Sequence, residues 1–231
     1  MKKTTDLSES LNWYITTIVR VVVFVGFFIG IYEQNWMAIY VCFATFVLTF
    51  LPRIIEKKYK ILLPGEFQII MVLFIYAGLF LGGVSGYYER FWWWDSLLHV
   101  ISGIVLGFVG FLIIYTFYKS KKLNTSPFLG LLFSFSFAMT LGAVWEIFEF
   151  GMDSVFDLDM QRARNLEDIY GYCDTRLGVI DTMVDLILDA IGAIIASLSG
   201  YFYLKNGEVF LFDKLVKRFE DKNKRFFNSK G

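Results

Sequence analysis

An all-α fold, a polytopic integral membrane bundle of six transmembrane helices, is what this sequence predicts, and three observations predict it. The 231 residues are 56% apolar and only 19% charged, whereas a soluble domain carries about 25% charge. The mean hydropathy is +0.55. The apolar residues gather into six stretches, at 15–32, 36–52, 62–84, 94–118, 127–151 and 179–204, each close to the ~20 residues that a bilayer core requires.

The first stretch reads as a span and not as a cleaved leader. It is too long, it carries Arg20, and no small-residue cleavage site follows it. The next four spans follow one another through short connections, and only the segment 152–178, between the fifth and sixth, is a long polar loop. No internal repeat or low-complexity run interrupts the pattern. The prediction is one integral domain over 1–204, with an outer loop at 152–178 and a basic tail at 205–231.

Orientation follows from where the cations lie. One side of the predicted bundle holds Lys2 and Lys3, then Arg53, Lys57, Lys58 and Lys60, then Lys119, Lys121 and Lys122, and then all of the tail's lysines and arginines. The other side holds only Arg90, Arg162, Arg164 and Arg176. Both termini are therefore expected in the cytoplasm, with 33–35, 85–93 and 152–178 facing outward. Trp36, Tyr87, Tyr88 and Trp92 to Trp94 fit an outer aromatic belt, and Trp13 and Tyr14 an inner one. In the tail, Phe212, Leu215, Val216 and Phe219 recur at helical spacing among lysines. Two readings fit that pattern, an amphipathic helix on the anionic leaflet and a frayed basic end.

Composition also excludes. Lysine plus arginine and aspartate plus glutamate both total 22, so no charge excess points to nucleic acid, and the apolar content excludes a disordered chain. Cys42 and Cys173 form no CxxC pair and imply neither a disulfide framework nor a thiolate metal site. A single histidine, His99, excludes any centre that needs several imidazoles. No motif points to a haem, flavin, nucleotide or quinone, and the many phenylalanines suit lipid-facing positions.

The informative residues are acids inside the last three spans. Asp95 and His99 are four apart at the start of span four. Glu146, Glu149 and Asp153 are spaced by three and four at the end of span five. Asp181, Asp185 and Asp189 recur every fourth residue at the start of span six. Each set lies on one face of its helix. At about 1.5 Å per residue, His99, Glu146 and Asp185 all lie roughly 8–11 Å inside the outer boundary.

An acid at a helix centre costs about 2.5–3.5 kcal/mol on insertion scales. Seven such groups facing lipid would cost roughly 17–25 kcal/mol on that scale, more than the ~5–15 kcal/mol net stability of a typical protein. They must face the bundle interior and be neutralised there. Protonation, arginines reaching in from the 152–178 loop, or a bound cation can do this. Oxygen donors with one imidazole suit a divalent metal such as Mg²⁺, Mn²⁺ or Ca²⁺, with Zn²⁺ or Fe²⁺ reachable through His99. The simpler alternative is a hydrogen-bonded polar core that specifies helix packing. Glu66 and Gln68 are expected at the interface with no special role, Cys42 as a small core or lipid-facing residue, and Gly103, Gly107 and Gly110 as close-packing positions. In the outer loop, Arg162, Arg164 and Arg176 suit a phosphate or carboxylate, although a solvated loop explains its charges as well.

At these residues the chain resembles bacterial and archaeal inner-membrane proteins of the YjdF type. The matching features are D-x-x-x-H at Asp95 to His99, W-E-x-x-E at Trp145, Glu146 and Glu149, and D-T-x-x-D at Asp181 to Asp185, and the likeness runs from span three onward. More distantly it is similar to the VanZ-like membrane proteins, which share the D-x-x-x-H helix, a later glutamate helix and D-x-x-x-N-x-x-G. Here the last reads Asp185, Asp189 and Gly192, with aspartate in place of asparagine. The glutamine that often follows the VanZ-like glutamate is not present, and the long loop is extra. VanZ-like proteins are linked to glycopeptide resistance, so the resemblance implies a multi-pass protein of the prokaryotic cytoplasmic membrane with a polar site facing the envelope.

Three functions fit this reading. The first is a metal-dependent enzyme of envelope lipids. Asp95, His99, Glu146, Glu149, Asp153, Asp181, Asp185 and Asp189 are its candidate ligands, with His99, Glu146 and Asp185 at the chemistry and the three arginines on an anionic headgroup. The second is a cation or proton-coupled transporter, against which stand the lack of a broken-helix pair or inverted repeat in the sequence and of an obvious polar path inward beyond Asp189. The third is a non-enzymatic scaffold or sensor held together by a cation.

Overall fold

In the computed structural model, which describes residues 7–124, 126–163, 175–207, 209 and 212–227, every regular element is helical. In chain order these are α1 (Leu7–Tyr32), α2 (Trp36–Leu48), α3 (Leu51–Tyr59), α4 (Gly65–Ile75), a π-helical stretch (Tyr76–Val84), α5 (Tyr87–Arg90), α6 (Trp94–Lys119), α7 (Pro127–Phe156), α8 (Thr175–Asn206), α9 (Phe212–Lys222) and α10 (Lys224–Phe227). Five segments are long and apolar enough to cross a membrane: Leu7–Tyr32, Trp36–Tyr59, Gly65–Val84, Trp94–Lys119 and Pro127–Phe156. The sixth predicted span is α8, 32 residues long, with its three aspartates in its first half.

The pattern of exposure is that of a membrane bundle. On α7, Gly130, Ser134, Ala138, Gly142, Glu146 and Glu149 are buried, while Ile147 is 69% exposed beside a Glu146 that is 4% exposed. A helix that hides its acids and displays its isoleucines has lipid as its outer solvent. On α1, Val21, Phe24, Val25, Phe28 and Ile29 are likewise exposed. The chain is a multi-pass helical membrane protein.

The molecule divides into two compact units, Met1–Leu98 with Lys214–Gly231, and His99–Asp213. The first packs α1, α2, α4 and the π-helical stretch around Val19, Val23, Cys42, Val72 and Phe80. Cys42 is thus a core residue; Cys173 lies outside the described residues. Gly26 admits the Phe80 ring, since a Cβ there would come 2.6 Å from it. The second predicted span breaks after α2. Thr49 follows α2, and Pro52 sits in the first turn of α3, where its missing N–H costs no helical hydrogen bond. The π-helical stretch shifts the backbone register at the end of the third span, and the Trp94 indole donates to the Ala77 carbonyl at 3.3 Å.

The tail is helical and seated on the first unit. Val216 and Phe219 of α9 are buried. Beyond its end, Asn223 pairs with Leu62 like a strand partner: the Leu62 N–H donates to Asn223 Oδ1 at 2.8 Å, and Asn223 Nδ2 donates to the Leu62 carbonyl at 2.7 Å. Arg218 pairs with Glu66, which gives Glu66 a partner that sequence reading did not foresee. Of the two readings of the tail, the helical one matches Phe212–Lys222.

Candidate metal centre

The second unit rests on close approach of backbones. A Cβ at Gly103 of α6 would fall on the Asp189 carbonyl oxygen and 2.9 Å from the Ala193 nitrogen of α8. A Cβ at Gly192 of α8 would fall on the Val100 carbonyl and 2.8 Å from the Ile104 nitrogen of α6. Only residues without a side chain permit this crossing. Gly110 meets α7 instead, with Ser134 Cα and Phe137 Cβ each 3.0 Å from its would-be Cβ. The expected packing role of Gly103, Gly107 and Gly110 therefore holds, and it divides between two neighbours.

That crossing brings His99 against α8. His99, Asp185 and Asp189 are 7%, 3% and 2% exposed. The imidazole lies between two aspartates one turn apart. Nε2 is 3.7 Å from Asp185 Oδ2, and Nδ1 is 3.4 Å from Asp189 Oδ2. Ser102, one turn beyond His99, has its single hydroxyl proton shared between two acceptors, Asp189 Oδ1 and the His99 carbonyl, the latter at 2.8 Å. Gly142 of α7 closes over Asp189 from the third side, because a Cβ there would fall on its Oδ2. Asp189 thus holds the ring from Nδ1, and with the proton on that atom Nε2 turns a lone pair toward Asp185. Asp95, one turn earlier on the same continuous helix, completes a group in which ligand atoms of Asp95, His99 and Asp185 all lie within 4.8 Å of one another. Two carboxylates and one imidazole at that spacing can hold a divalent cation.

The other predicted site residues take different places. Glu146 and Glu149 are buried on the inward face of α7, and the Trp145 indole donates to Glu149 Oε1 at 2.8 Å. Asp181 is half-buried, one turn before Asp185. Asp153 turns to the loop: its two carboxylate oxygens accept from the backbone N–H groups of Met160 and Gln161, at 2.7 and 2.9 Å. That is an anchor for the chain leaving α7, whose last turn is closed by Asp157 at φ 56°, a left-handed position that aspartate tolerates. Gln161 then donates to Thr182 of α8 at 2.7 Å. Arg162 is half-buried and Arg176 exposed, and Arg164 lies outside the described residues. Sequence reading missed Ser102 and Gly142. Ser102 had a signal, since it stands three residues after His99 and seven after Asp95 on the same face; Gly142 had none.

The chain is 28% identical over 143 residues to a Thermotoga maritima protein described as "Uncharacterized protein", a match covering 62% of this chain and 66% of the relative, just under two thirds of its length. No solved structure matches. A family of predicted membrane proteins matches residues 12–206, and the YjdF-type resemblance is consistent with it. By that match, which takes in every span and the whole of the acidic cluster, the chain belongs to the family described as "Predicted membrane protein (DUF2238)".

Proposed function

We propose that this protein holds a divalent cation between Asp95, His99 and Asp185 and uses it on phosphate-bearing lipid headgroups at the outer face of the membrane. The observation that carries the reading is the histidine clamp. Asp185 and Asp95 lie within ligand distance of His99, while Asp189, fastened by Ser102, grips the opposite ring nitrogen. A carboxylate behind a ligating imidazole fixes its tautomer and strengthens it as a donor. An oxygen-rich set with one nitrogen favours Mn²⁺, Mg²⁺, Ca²⁺ or Zn²⁺. When bound, such an ion polarises a phosphoryl oxygen or activates water. Glu146 and Glu149, buried on the facing side of α7, are the groups placed to take or return a proton. Arg162, Arg164 and Arg176 suit the headgroup's charge. The VanZ-like resemblance supports envelope lipid as the setting.

The test is elemental analysis of the purified full chain after equilibration with Mn²⁺ or Zn²⁺, with Asp185→Asn and His99→Ala alongside. Near-stoichiometric metal in the native protein, reduced tenfold or more in both variants, is expected, followed by turnover of lipid phosphates that fails in the same variants. Metal that neither substitution displaces, or none in any sample, would overturn the centre. In the second case the acids hold protons, and proton flux in proteoliposomes blocked by Asp189→Asn becomes the reading to pursue.

A further inference from the structure

Within the first unit lies a cavity of about 390 Å³ that the proposed metal chemistry does not use. It opens among the first half of α1, the junction of α2 and α3, and the start of α4. By the distribution of lysine and arginine this is the end expected in the cytoplasm. Its lining is polar for a membrane domain. Three cations reach it, Arg20, Arg53 and Lys222, with two acids, Glu9 and Glu56.

The acids already have partners. Glu9 accepts from Lys222 at 2.9 Å. Glu56 Oε1 accepts from the Leu63 N–H at 2.8 Å and from Gln68 Nε2 at 3.0 Å. The arginines have no carboxylate among the described residues. Arg20 is held rigidly: Nε donates to Thr49 Oγ1 at 2.9 Å, Nη2 to the Thr49 carbonyl at 3.1 Å, and the guanidinium lies 3.9 Å over the Phe50 ring. Those contacts commit one edge of the fork and leave Nη1 without a protein acceptor among the described residues. Arg53 is exposed and has no hydrogen bond or ion pair there, and its charge bears unfavourably on Arg20. Two guanidinium groups line one cavity, beside the hydroxyls of Thr16 and Thr17. A half-buried arginine inside a membrane span is costly unless paired, and a planar fork with a free edge fits a phosphate or similar oxyanion.

We infer that this cavity binds a phosphate-type oxyanion between Arg20 and Arg53, with Lys222 of the seated tail at its rim. The anion's source is either the headgroup of an anionic phospholipid in the adjoining leaflet or free phosphate. Arg20 supplies the fixed donor edge. Arg53 supplies the second charge and, being exposed, the way in. The Glu9–Lys222 pair ties the tail helix to the same cavity, so a bound anion also strengthens the tail's seat.

The probes are inorganic phosphate, and nanodiscs containing either phosphatidylglycerol or phosphatidylcholine, applied to the delipidated full chain and to Arg20→Gln, Arg53→Gln and Lys58→Gln. Thermal stability and lipid retained in native mass spectrometry are the readouts. Arg53 makes no contact that the fold depends on, so Arg53→Gln tests binding even where Arg20→Gln fails to fold. Lys58, exposed and outside the cavity, is the control for general charge. Retention of phosphatidylglycerol over phosphatidylcholine, weakened about tenfold (~1.4 kcal/mol) by Arg53→Gln and unchanged by Lys58→Gln, supports a lipid-headgroup site. Stabilisation by phosphate alone with the same dependence on variants supports a soluble anion. Binding of neither probe, or equal losses from Arg53→Gln and Lys58→Gln, overturns the inference.

Discussion

Replacing Gly103 by alanine tests the geometry of the second unit most directly. The added Cβ would fall on the Asp189 carbonyl oxygen, 2.9 Å from the Ala193 nitrogen and 3.0 Å from the Asp189 carbonyl carbon. All three are backbone atoms of one helix and cannot rotate away. Non-bonded heavy atoms rest at about 3.5–4.0 Å, so α6 and α8 must part locally by about 1 Å or more. Overpacking of this kind costs about 1–3 kcal/mol. His99 stands one turn before Gly103 on the same helix, at 3.4 Å from Asp189 and 3.7 Å from Asp185. The same displacement carries it out of reach of Asp189. Gly151→Ala, on α7, is the matched control: nothing lies within 4 Å of its Cβ, and alanine gains about 1 kcal/mol of helix propensity. Thermal unfolding of both purified variants should place Gly103→Ala roughly 2–12 °C below the native protein and Gly151→Ala level with it or above. Mn²⁺ affinity should fall about 10- to 100-fold in Gly103→Ala alone. Equal stability of the two variants would refute the backbone crossing, and a destabilised Gly103→Ala with native metal affinity would refute its link to the histidine clamp.

Other substitutions separate the parts. Ser102→Ala removes the hydroxyl that fastens Asp189; stability should drop by about 1 kcal/mol in denaturation, with metal affinity about tenfold weaker in titration. Asp153→Asn leaves one oxygen for two backbone donors; hydrogen exchange at Met160 and Gln161 should rise while metal content stays native, because Asp153 serves the loop. Asn223→Ala removes the partner of both Leu62 backbone groups; Leu62 is itself exposed and water replaces part of the loss, so the two bonds together are worth about 1–3 kcal/mol, and faster proteolytic release of the tail should report it.

The sequence by itself determined the class of the fold and which helix faces turn inward. Apolar runs of membrane length dictate helices, because a backbone in lipid must satisfy its own hydrogen bonds. Acids at helical spacing dictate an inward face, because the alternative costs more than the fold can bear. The second rule put Asp185, Asp189, Glu146 and Glu149 on inward faces, where they are buried, and close packing was separately expected of Gly103. Neither rule could say which acid meets which. Periodicity places a residue on a face, whereas partnership depends on where two helices cross and how far each is rotated. Only the crossing at Gly103 and Gly192 put His99 between Asp185 and Asp189, gave Ser102 its hold on Asp189, and left Asp153 to the loop amides. The break after Thr49, the π-helical third span and the seat of the tail on Leu62 were equally invisible. The tail's seat rests on hydrogen bonds between residues far apart in sequence, while the break and the π-helical stretch turn on small local shifts in backbone hydrogen bonding that hydrophobic periodicity does not record.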